Sequence, residues 1–274
     1  MKSTSASDEE RQEIKVTLDS KRSDLRVSFS EAARAAASAV GRVVHNTMGW
    51  QGTGCMISKQ LFITNNHVIL NSQKATDYVV EFNYELNANN CPKQVTKFAL
   101  APNILFLSSP EEELDFTIVA VGKRISGRSM LSHFGYCPMK DLGASERPGT
   151  LISIIGHPRG RFKQTAIRSA MITAMNDEVL QYYADVEVGS SGSPIFNDGW
   201  QLIGLHHWGA PTRKISHLRR EQVSRDVREG IRICAIVRKM VLLRPDLSEK
   251  ERSLVDEALS YLSSTPICLR YVKQ

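Results

Sequence analysis

The sequence predicts an all-β fold, either a sandwich or a pair of barrels, with helices only at its ends. Between about residues 40 and 233, short runs rich in β-branched residues recur between Gly, Pro and Asn, which is the pattern of many short strands. Helical spacing of apolar residues appears only before and after that region. A length of 274 residues with 42% hydrophobic and 23% charged residues fits one large globular domain and excludes a disordered or fibrous chain.

The elements can be assigned in order along the chain. The segment from Ser30 to Ala37 predicts a short helix with Ser30 as its N-cap. Ten strands follow, each a short apolar or β-branched run: 40–44, 54–57, 61–64, 78–82, 116–121, 151–155, 164–172, 179–186, 194–196 and 202–205. After Gly230 a helix is predicted up to Pro245, and Ser248 with Glu251 forms a capping box that opens a second helix.

Charge and cysteine content narrow the function classes. The chain has 35 Lys and Arg against 29 Asp and Glu, a net charge of +6 that does not by itself indicate a nucleic-acid partner. The five cysteines lie far apart without C-x-x-C spacing, which predicts reduced thiols, no metal site and no cofactor. The first 22 residues are polar and no apolar run approaches the roughly 18 residues of a membrane span, so we expect a cytoplasmic protein without a membrane partner.

Three segments together point to nucleophilic catalysis. A strand-like run ends in a polar turn that presents His67, and Asp115 stands where another apolar strand begins. A loop of small residues, Gly-Ser-Ser-Gly-Ser-Pro at 189–194, carries Ser191. Glycines on both sides of a serine let backbone N–H groups converge on one point, as an oxyanion site requires. Taken alone, the three segments are more typical of a structural histidine, a turn aspartate and a hairpin loop, respectively.

In combination, these segments resemble the chymotrypsin-fold serine proteases. T-N-N-H-V is similar to that family's T-A-A-H-C, L-D-F-T-I-V to its N-D-I-x-L-L, and G-S-S-G-S-P to its G-D-S-G-G-P. The order His, Asp, Ser is also the family's, with spacings of 48 and 76 residues. The resemblance implies two six-stranded antiparallel Greek-key barrels within a serine protease domain at 40–240. It leaves an N-terminal polar or helical extension at 1–39 and a C-terminal helical extension at 241–274.

The resemblance also implies a role for each residue of the three segments. Ser191 is expected to be the nucleophile, His67 the general base and then acid, and Asp115 the group that fixes the imidazole tautomer. The backbone N–H groups of Gly189 and Ser191 are expected to form the oxyanion hole. Ser190 and Val68 stand where digestive proteases carry an Asp and a Cys, so neither zymogen activation nor that disulfide is expected. The loop is more similar to the bacterial glutamyl-endopeptidase-like branch, with G-N-S-G-S-P.

Two signals for substrate specificity disagree. The segment from Ile203 to Gly209 resembles the I-G-I-H-W-G of glutamyl endopeptidases, which makes His206 a candidate contact for a Glu or Gln side chain at the P1 position of the substrate. In the same comparison, His207, Trp208 and Gly209 form the edge strand that pairs with substrate backbone. Asp185 lies six residues before Ser191, where trypsin carries its basic-selective aspartate, and so favours Arg or Lys. The sequence leaves both preferences open, and a small or apolar P1 residue is a third alternative.

The leading hypothesis is an intracellular serine endopeptidase with a polypeptide substrate. The alternative is a catalytically silent binding module that uses the Arg-rich segment 211–239, which holds nine Lys and Arg and three Asp and Glu, for an acidic regulatory partner. A solvated loop and helix face is the commoner explanation of such a segment, and nucleic-acid binding is not expected because no aromatic residue interleaves it. An α/β-hydrolase esterase fits worse, because the G-x-S-x-G motif and alternating helices are missing.

Overall fold

The structure is a computed structural model that describes residues 27–139, 146–184, 191–208 and 227–261. Within these ranges it contains four α-helices and thirteen strands. The helices are α1 (Val27–Ser38), α2 (Ser72–Ala75), α3 (Ile233–Leu243) and α4 (Glu249–Leu259). The strands are β1 (Val40–His45), β2 (Gly49–Met56), β3 (Leu61–Thr64), β4 (Tyr78–Phe82), β5 (Thr96–Leu100), β6 (Phe106–Ser109), β7 (Phe116–Ser126), β8 (Leu151–Gly156), β9 (Gln164–Met175), β10 (Val179–Ala184), β11 (Pro194–Phe196), β12 (Leu202–Trp208) and β13 (Val227–Arg232).

The first seven strands form one antiparallel sheet that closes on itself. Its order is β3-β2-β1-β4-β5-β7-β6, and an additional pairing of β3 with β7 joins the ends of a six-stranded ring. In this pairing Leu61 lies opposite Ala120 and Thr64 lies opposite Thr117. The short strand β6 lies along β7 outside the ring. Because the sheet closes into a ring, each of its six strands is paired on both sides and the ring has no edge strand.

The remaining six strands form a second closed barrel, in the order β10-β13-β12-β11-β8-β9. The two six-stranded antiparallel barrels of the chymotrypsin-like fold are therefore confirmed. Strands β8 and β9 of this barrel pair antiparallel, and the connection between them contains a 3-10 turn at Pro158–Gly160.

Aromatic side chains fill the first barrel. Phe62, Phe82, Phe98 and Phe134 are buried, and the rings of Phe82 and Phe134 stack with centroids 4.5 Å apart. Gly54 lets the Phe62 ring approach the neighbouring strand, since a Cβ atom there would lie 2.3 Å from that ring. The second barrel has its own cluster of apolar side chains, and a larger cluster extends across both barrels and includes buried residues of helices α3 and α4.

The C-terminal extension follows the predicted pattern with one difference. Ser248 accepts a hydrogen bond from the Glu251 backbone N–H, and the Glu251 carboxylate accepts one from the Ser248 backbone, so the capping box at the start of α4 is confirmed. Helix α3, however, begins at Ile233, and Ile231, whose spacing predicted helix, lies in strand β13. The β-strand pairs of β13 with β10 and β12 on both sides override the helical periodicity.

Several sequence predictions were incomplete. Helix α1 begins at Val27, so Ser30 lies inside the helix and is not its N-cap; Val27 to Phe29 contain no residue that prevents one more turn. Strands β5, β6 and β13 were not predicted, because their sequences are short or rich in charged residues and resemble loops.

The two barrels are joined by side-chain contacts. Arg42, on β1, donates from Nη1 to the carbonyl of Gly160 in the second barrel at 2.7 Å. The same guanidinium forms an ion pair with Glu81 at 2.6 Å and lies over the ring of Tyr84, 3.4 Å from its centroid. Arg42 therefore connects strand β1 of the first barrel to the turn before β9 of the second. None of the helices in the described ranges has the length and apolar character that a membrane crossing needs.

Candidate active site

His67 lies in a loop that begins where β3 ends, and buried amides hold that loop in place. Asn65 donates to the backbone carbonyl of Asp115 at 2.9 Å, and Asn66 donates to the Thr117 hydroxyl at 3.2 Å. The Thr117 hydroxyl in turn donates to the carbonyl of Ile69 at 2.8 Å. Because this loop makes polar contacts that substitute for strand pairing, the chain can turn sharply at His67 while its backbone groups stay satisfied. The imidazole is left partly exposed.

Asp115 precedes strand β7 in a constrained backbone conformation. Its φ angle is +39°, in the left-handed region that a residue with a Cβ rarely adopts. The conformation is held by its own N–H, which donates to the carbonyl of Pro110 at 3.0 Å, and by the amide of Asn65 on its carbonyl. The carboxylate is fully buried and turned toward His67.

One carboxylate oxygen of Asp115 receives two imidazoles. Oδ2 lies 2.6 Å from Nδ1 of His67 and 2.5 Å from Nδ1 of His207, and Oδ1 accepts the backbone N–H of His67 at 2.9 Å. Burial raises the pKa of the Asp115 carboxyl, but hydrogen bonds from His207 and His67 outweigh that effect and leave the pKa below its ordinary value. Asp115 is therefore an ionised acceptor at neutral pH and can fix the imidazole tautomer.

Ser191 begins the tight turn before β11, at the interface with the first barrel. Its carbonyl accepts the N–H of Thr53 on β2 at 2.9 Å. A Cβ placed on Gly52 would lie 3.0 Å from both that carbonyl and the Val68 side chain. The Ser191 backbone thus lies near the residue that follows His67. The next residue, Gly192, has φ +84°, and a Cβ there would meet the Thr53 carbonyl at 2.0 Å, so the turn requires glycine.

His206 is fixed beside the Ser191 turn. Its carbonyl accepts the N–H of Gly192 at 2.9 Å, and its N–H donates to the carbonyl of Ser193 at 2.8 Å. Its Nδ1 lies 2.7 Å from the hydroxyl of Tyr182, in the interior of the second barrel. Burial lowers the pKa of His206 to about 3, with the charge of Arg228 acting in the same direction. His206 is therefore neutral at physiological pH.

The comparisons with known proteins agree with this geometry. Residues 52–205, more than half of the chain, match the trypsin-like peptidase domain. The chain belongs to the trypsin-like peptidase family. It is 34% identical over 202 residues to the uncharacterized protein y4fB of Sinorhizobium fredii, covering 69% of this chain and 30% of that protein. It is 25% identical over 167 residues to a glutamyl endopeptidase of Staphylococcus aureus, covering 58% of this chain and 47% of that enzyme.

A solved structure of similar fold is the serine endoprotease from Yersinia pestis. It has a TM-score of 0.52 and 19% sequence identity, and the match covers 81% of this chain and 69% of that one.

The chain spans about a third to a half of the length of the curated relatives that it matches. Its membership of the trypsin-like peptidase family and its chymotrypsin-like fold agree with the resemblance in the three segments.

The structure describes only part of the predicted site of this trypsin-like peptidase. It brings together His67, Asp115 and His207, and it places Ser191 and His206 on neighbouring segments of the second barrel. Asp185, Gly189 and Gly209 lie outside the described residues, so their predicted roles in the pocket, the oxyanion hole and the edge strand stay predictions. Trp208 ends β12, which places its backbone but not its side chain.

Two contributions to the site were not anticipated. The His207 side chain, for which only a substrate-backbone role was predicted, is buried against Asp115. For Tyr182 only a place in a strand was predicted, but its hydroxyl contacts His206. The signal for the His207 contact was the pair of adjacent histidines, His206 and His207, on one strand. Neighbouring residues of a strand point to opposite faces, so the two side chains must have different surroundings.

His67, Asp115 and His207 are also the kind of set that can bind a metal ion. Their three candidate ligand atoms lie within 4.8 Å of one another. The nitrogen-to-oxygen distances of 2.5 and 2.6 Å are hydrogen-bond distances. Two ligands of one tetrahedral zinc ion, each about 2.0–2.1 Å from the metal, lie roughly 3.3 Å apart. The set as arranged fits two N–H donors on one carboxylate and not a shared cation.

The Arg-rich segment is placed only from residue 227 onward. In that part, Arg232 donates to the carbonyl of Asn176, Arg238 donates to that of Asp177, and Lys239 forms an ion pair with Glu113 at 2.9 Å. These cations have partners within the chain. Residues 211–226 of the segment lie outside the described residues, so the acidic regulatory partner stays a prediction.

Proposed function

We propose that this trypsin-like peptidase is a serine endopeptidase in which His67, Asp115 and Ser191 form the catalytic triad. The observation that carries the proposal is the buried Asp115 carboxylate, bonded at 2.6 Å to Nδ1 of His67. With Nδ1 bonded to Asp115, Nε2 is the ring nitrogen that can take the proton of the nucleophile. Ser191 of the second barrel is held against the first barrel by the hydrogen bond from the Thr53 N–H to its carbonyl.

The proposed reaction proceeds through an acyl-enzyme. Ser191 Oγ attacks the scissile carbonyl while His67 Nε2 takes its proton, and the positive charge that forms on the imidazole is stabilised by Asp115. The tetrahedral oxyanion is bound by backbone N–H groups, for which we propose Gly189 and Ser191. His67 then donates the proton to the leaving amine, and water releases the acyl group by the reverse sequence.

Covalent labelling tests the nucleophile. We expect a fluorophosphonate probe to modify the protein at Ser191, as located by mass spectrometry of the peptide that carries both Ser191 and Ser193. Ser191→Ala and His67→Ala should abolish the modification. Ser253→Ala, which removes an exposed hydroxyl on helix α4, is the matched control and should be labelled like the wild type. A folded wild-type protein without labelling contradicts the proposal and favours the silent binding module.

For the substrate, we propose that the P1 side chain is Glu or Gln and contacts His206. The neutral imidazole is fixed at Nδ1 by Tyr182, and burial raises the pKa of the Tyr182 hydroxyl so that it keeps its proton. With Tyr182 donating to Nδ1, Nε2 of His206 carries a hydrogen and can donate to an oxygen of the P1 side chain. The nearby charge of Arg228 favours an acidic side chain further. Similarity to a glutamyl endopeptidase supports the same choice.

Cleavage profiling on a peptide library separates this preference from the Arg or Lys preference that Asp185 suggests. We expect cleavage after Glu or Gln in the wild type and in Asp185→Asn, and loss of that selectivity in His206→Leu. Retained cleavage after Glu in His206→Leu contradicts the role of His206. Cleavage after Arg or Lys that Asp185→Asn abolishes establishes the alternative.

We also propose a cytoplasmic location, with the protease domain at 40–240 and helical extensions on either side. Support comes from the cysteines at 55, 91, 137 and 234, all free thiols. Cell fractionation followed by immunoblotting tests the location, and limited proteolysis tests the boundaries. Recovery of the protein from outside the cytoplasm contradicts the first, and a cut that separates stable fragments inside 40–240 contradicts the second.

A further inference from the structure

His207 makes a contact that the proposed triad does not require. It lies on β12 of the second barrel, its side chain is buried, and its Nδ1 is 2.5 Å from Oδ2 of Asp115 in the first barrel. The same oxygen receives His67 at 2.6 Å. The rings of His67 and His207 approach edge to face with centroids 6.2 Å apart, so the two imidazoles share the carboxylate without stacking.

This contact connects the two halves of the site. His67 and Asp115 belong to the first barrel, and Ser191 belongs to the second. The residue before His207 is tied on both sides to the Ser191 turn, through its carbonyl to Gly192 and through its N–H to Ser193. The position of Asp115 is thereby linked to that of the Ser191 turn through two adjacent residues of one strand.

The chemistry of the pair fixes the role of each group. An ionised carboxylate is acceptor-only, so Nδ1 of His207 must be the donor in a contact this short. Asp115 itself is in an unfavourable backbone conformation with φ +39°, and a second donor on its side chain adds to the contacts that hold it. The hydrogen bond from His207 also lowers the pKa of the Asp115 carboxyl against the opposing effect of burial.

We propose that His207 is a positioning residue of the reaction, which acts through Asp115 by donating a hydrogen bond from Nδ1 to the oxygen that also holds His67. It keeps the carboxylate in one orientation while His67 gains and loses a proton. The inference rests on the proposed triad and adds a fourth side chain to it.

The proposal also has a consequence for the pH profile. Among the described residues, the titratable and charged groups around Asp115 and His207 include His67 from the first barrel, His206 from β12, and Arg228 from β13, whose charge acts on His206. The hydrogen bond that His207 donates reduces the negative charge that the Asp115 carboxylate presents to His67. Without that donation, the carboxylate holds the protonated form of His67 more strongly, and the acid limb of kcat/KM moves to higher pH.

Two variants test the role by keeping or removing the donor. His207→Asn can place an amide N–H near the position of Nδ1, and His207→Leu removes the donor while filling similar space. We expect kcat of His207→Leu to fall about 10- to 100-fold, the range for loss of one hydrogen bond to a charged group, with KM within about threefold. The acid limb should move to higher pH by roughly half a unit or more. His207→Asn should recover most of kcat and return the acid limb toward the wild-type position.

The outcomes separate this inference from the proposed triad. Wild-type kcat and an unmoved acid limb in His207→Leu, in a protein whose Ser191 is still labelled, overturn the role of His207 and leave the triad standing. Equal losses in both variants, with raised KM and an unmoved acid limb, point to a merely structural role and also overturn it. Failure of wild-type labelling removes the triad itself.

A measurement on the wild type covers the case in which a variant does not fold. In protein with 15N-labelled histidine, NMR should detect two strongly hydrogen-bonded Nδ1–H protons, one from His67 and one from His207. Their detection supports the shared carboxylate. An unprotonated Nδ1 on His207 at neutral pH overturns the proposal.

Discussion

Lys163 of the second barrel and Glu85 of the first form an ion pair in the interior, with Nζ 2.9 Å from Oε2. Only 3% of the Lys163 side chain is exposed, and its ammonium also donates to the carbonyl of Ala37 at the end of helix α1 at 2.7 Å. Burial lowers the pKa of Lys163, while Glu85 opposes that shift. One charged side chain therefore joins both barrels and the N-terminal helix.

We expect the loss of unfolding free energy to depend on which partner of the ion pair is replaced. Glu85→Gln leaves a buried ammonium without its counter-charge, and we expect it to lower the free energy of unfolding by about 3–5 kcal/mol. Lys163→Met removes the buried charge, and Glu85 keeps Lys93 at 2.5 Å, so the loss should be about 1–2 kcal/mol. Urea unfolding at pH 7 measures both. Lys93→Met, which removes an exposed cation, is the control, with an expected loss below about 1 kcal/mol. A larger loss in Lys163→Met than in Glu85→Gln contradicts this account.

Gly192, in the Ser191 turn, is expected to tolerate a side chain less well than Gly149, which has a similar backbone conformation. Its φ of +84° and the Thr53 carbonyl, which would lie 2.0 Å from a Cβ at this position, exclude any side chain. Gly149 has a similar φ of +89° but nothing within 4 Å of the corresponding point. We expect Gly149→Ala to lose about 1 kcal/mol of unfolding free energy from backbone strain alone, and Gly192→Ala to lose more than about 3 kcal/mol or fail to fold. Soluble yield and urea unfolding measure this, and equal losses show that the steric clash is absent.

Much of the fold could be predicted because local patterns and long-range packing agree. The runs 61–64 and 151–155 are largely apolar and β-branched, and every residue of the strands that contain them is buried in the closed barrels. Strand β13 could not be predicted, since Val227–Arg232 is half charged and becomes a strand only through pairing with β10 and β12.

The candidate site was predictable in its residue types and not in its contacts. His67 and Asp115 stand in recognisable segments, and the structure brings them together. The contact of His207 with Asp115 joins residues 92 positions apart on different barrels, and nothing local in the sequence encodes such a pair. Tyr182 likewise gains its role only because barrel closure directs its hydroxyl at His206.

The cysteines provide a prediction about thiol reactivity. Cys91 is exposed, whereas Cys55 is buried beside Cys137. The hydrogen bond with Cys137, together with burial, raises the pKa of Cys55, so little thiolate is present at neutral pH. Brief treatment of the folded protein with iodoacetamide should therefore alkylate Cys91 and spare Cys55 and Cys137, as measured by peptide mass spectrometry. Cys91→Ser is the control, and labelling of Cys55 before Cys91 contradicts the prediction.

Two buried histidines whose pKa is lowered, His157 and His206, predict that acid destabilises the protein below about pH 6.5. Burial lowers the pKa of both His157 and His206 to about 3, against an ordinary value near 6.5. Between these values the unfolded chain binds protons that the folded protein does not, so the free energy of unfolding falls as the pH falls. Each group contributes up to about 1.4 kcal/mol per pH unit, and together they should remove about 2 kcal/mol between pH 6 and pH 5.

Urea unfolding at several pH values checks this slope, and one variant isolates its source. The ring of His157 packs near that of Tyr84, and its Nδ1 lies 3.1 Å from the Arg161 carbonyl. His157→Gln removes the titrating group, and although it lowers stability at every pH, it should flatten the slope between pH 6 and pH 5 by about half. His133→Gln replaces an exposed imidazole and should leave the slope unchanged. A wild-type slope in His157→Gln means that this histidine is protonated in the folded protein, contrary to the effect expected from its burial.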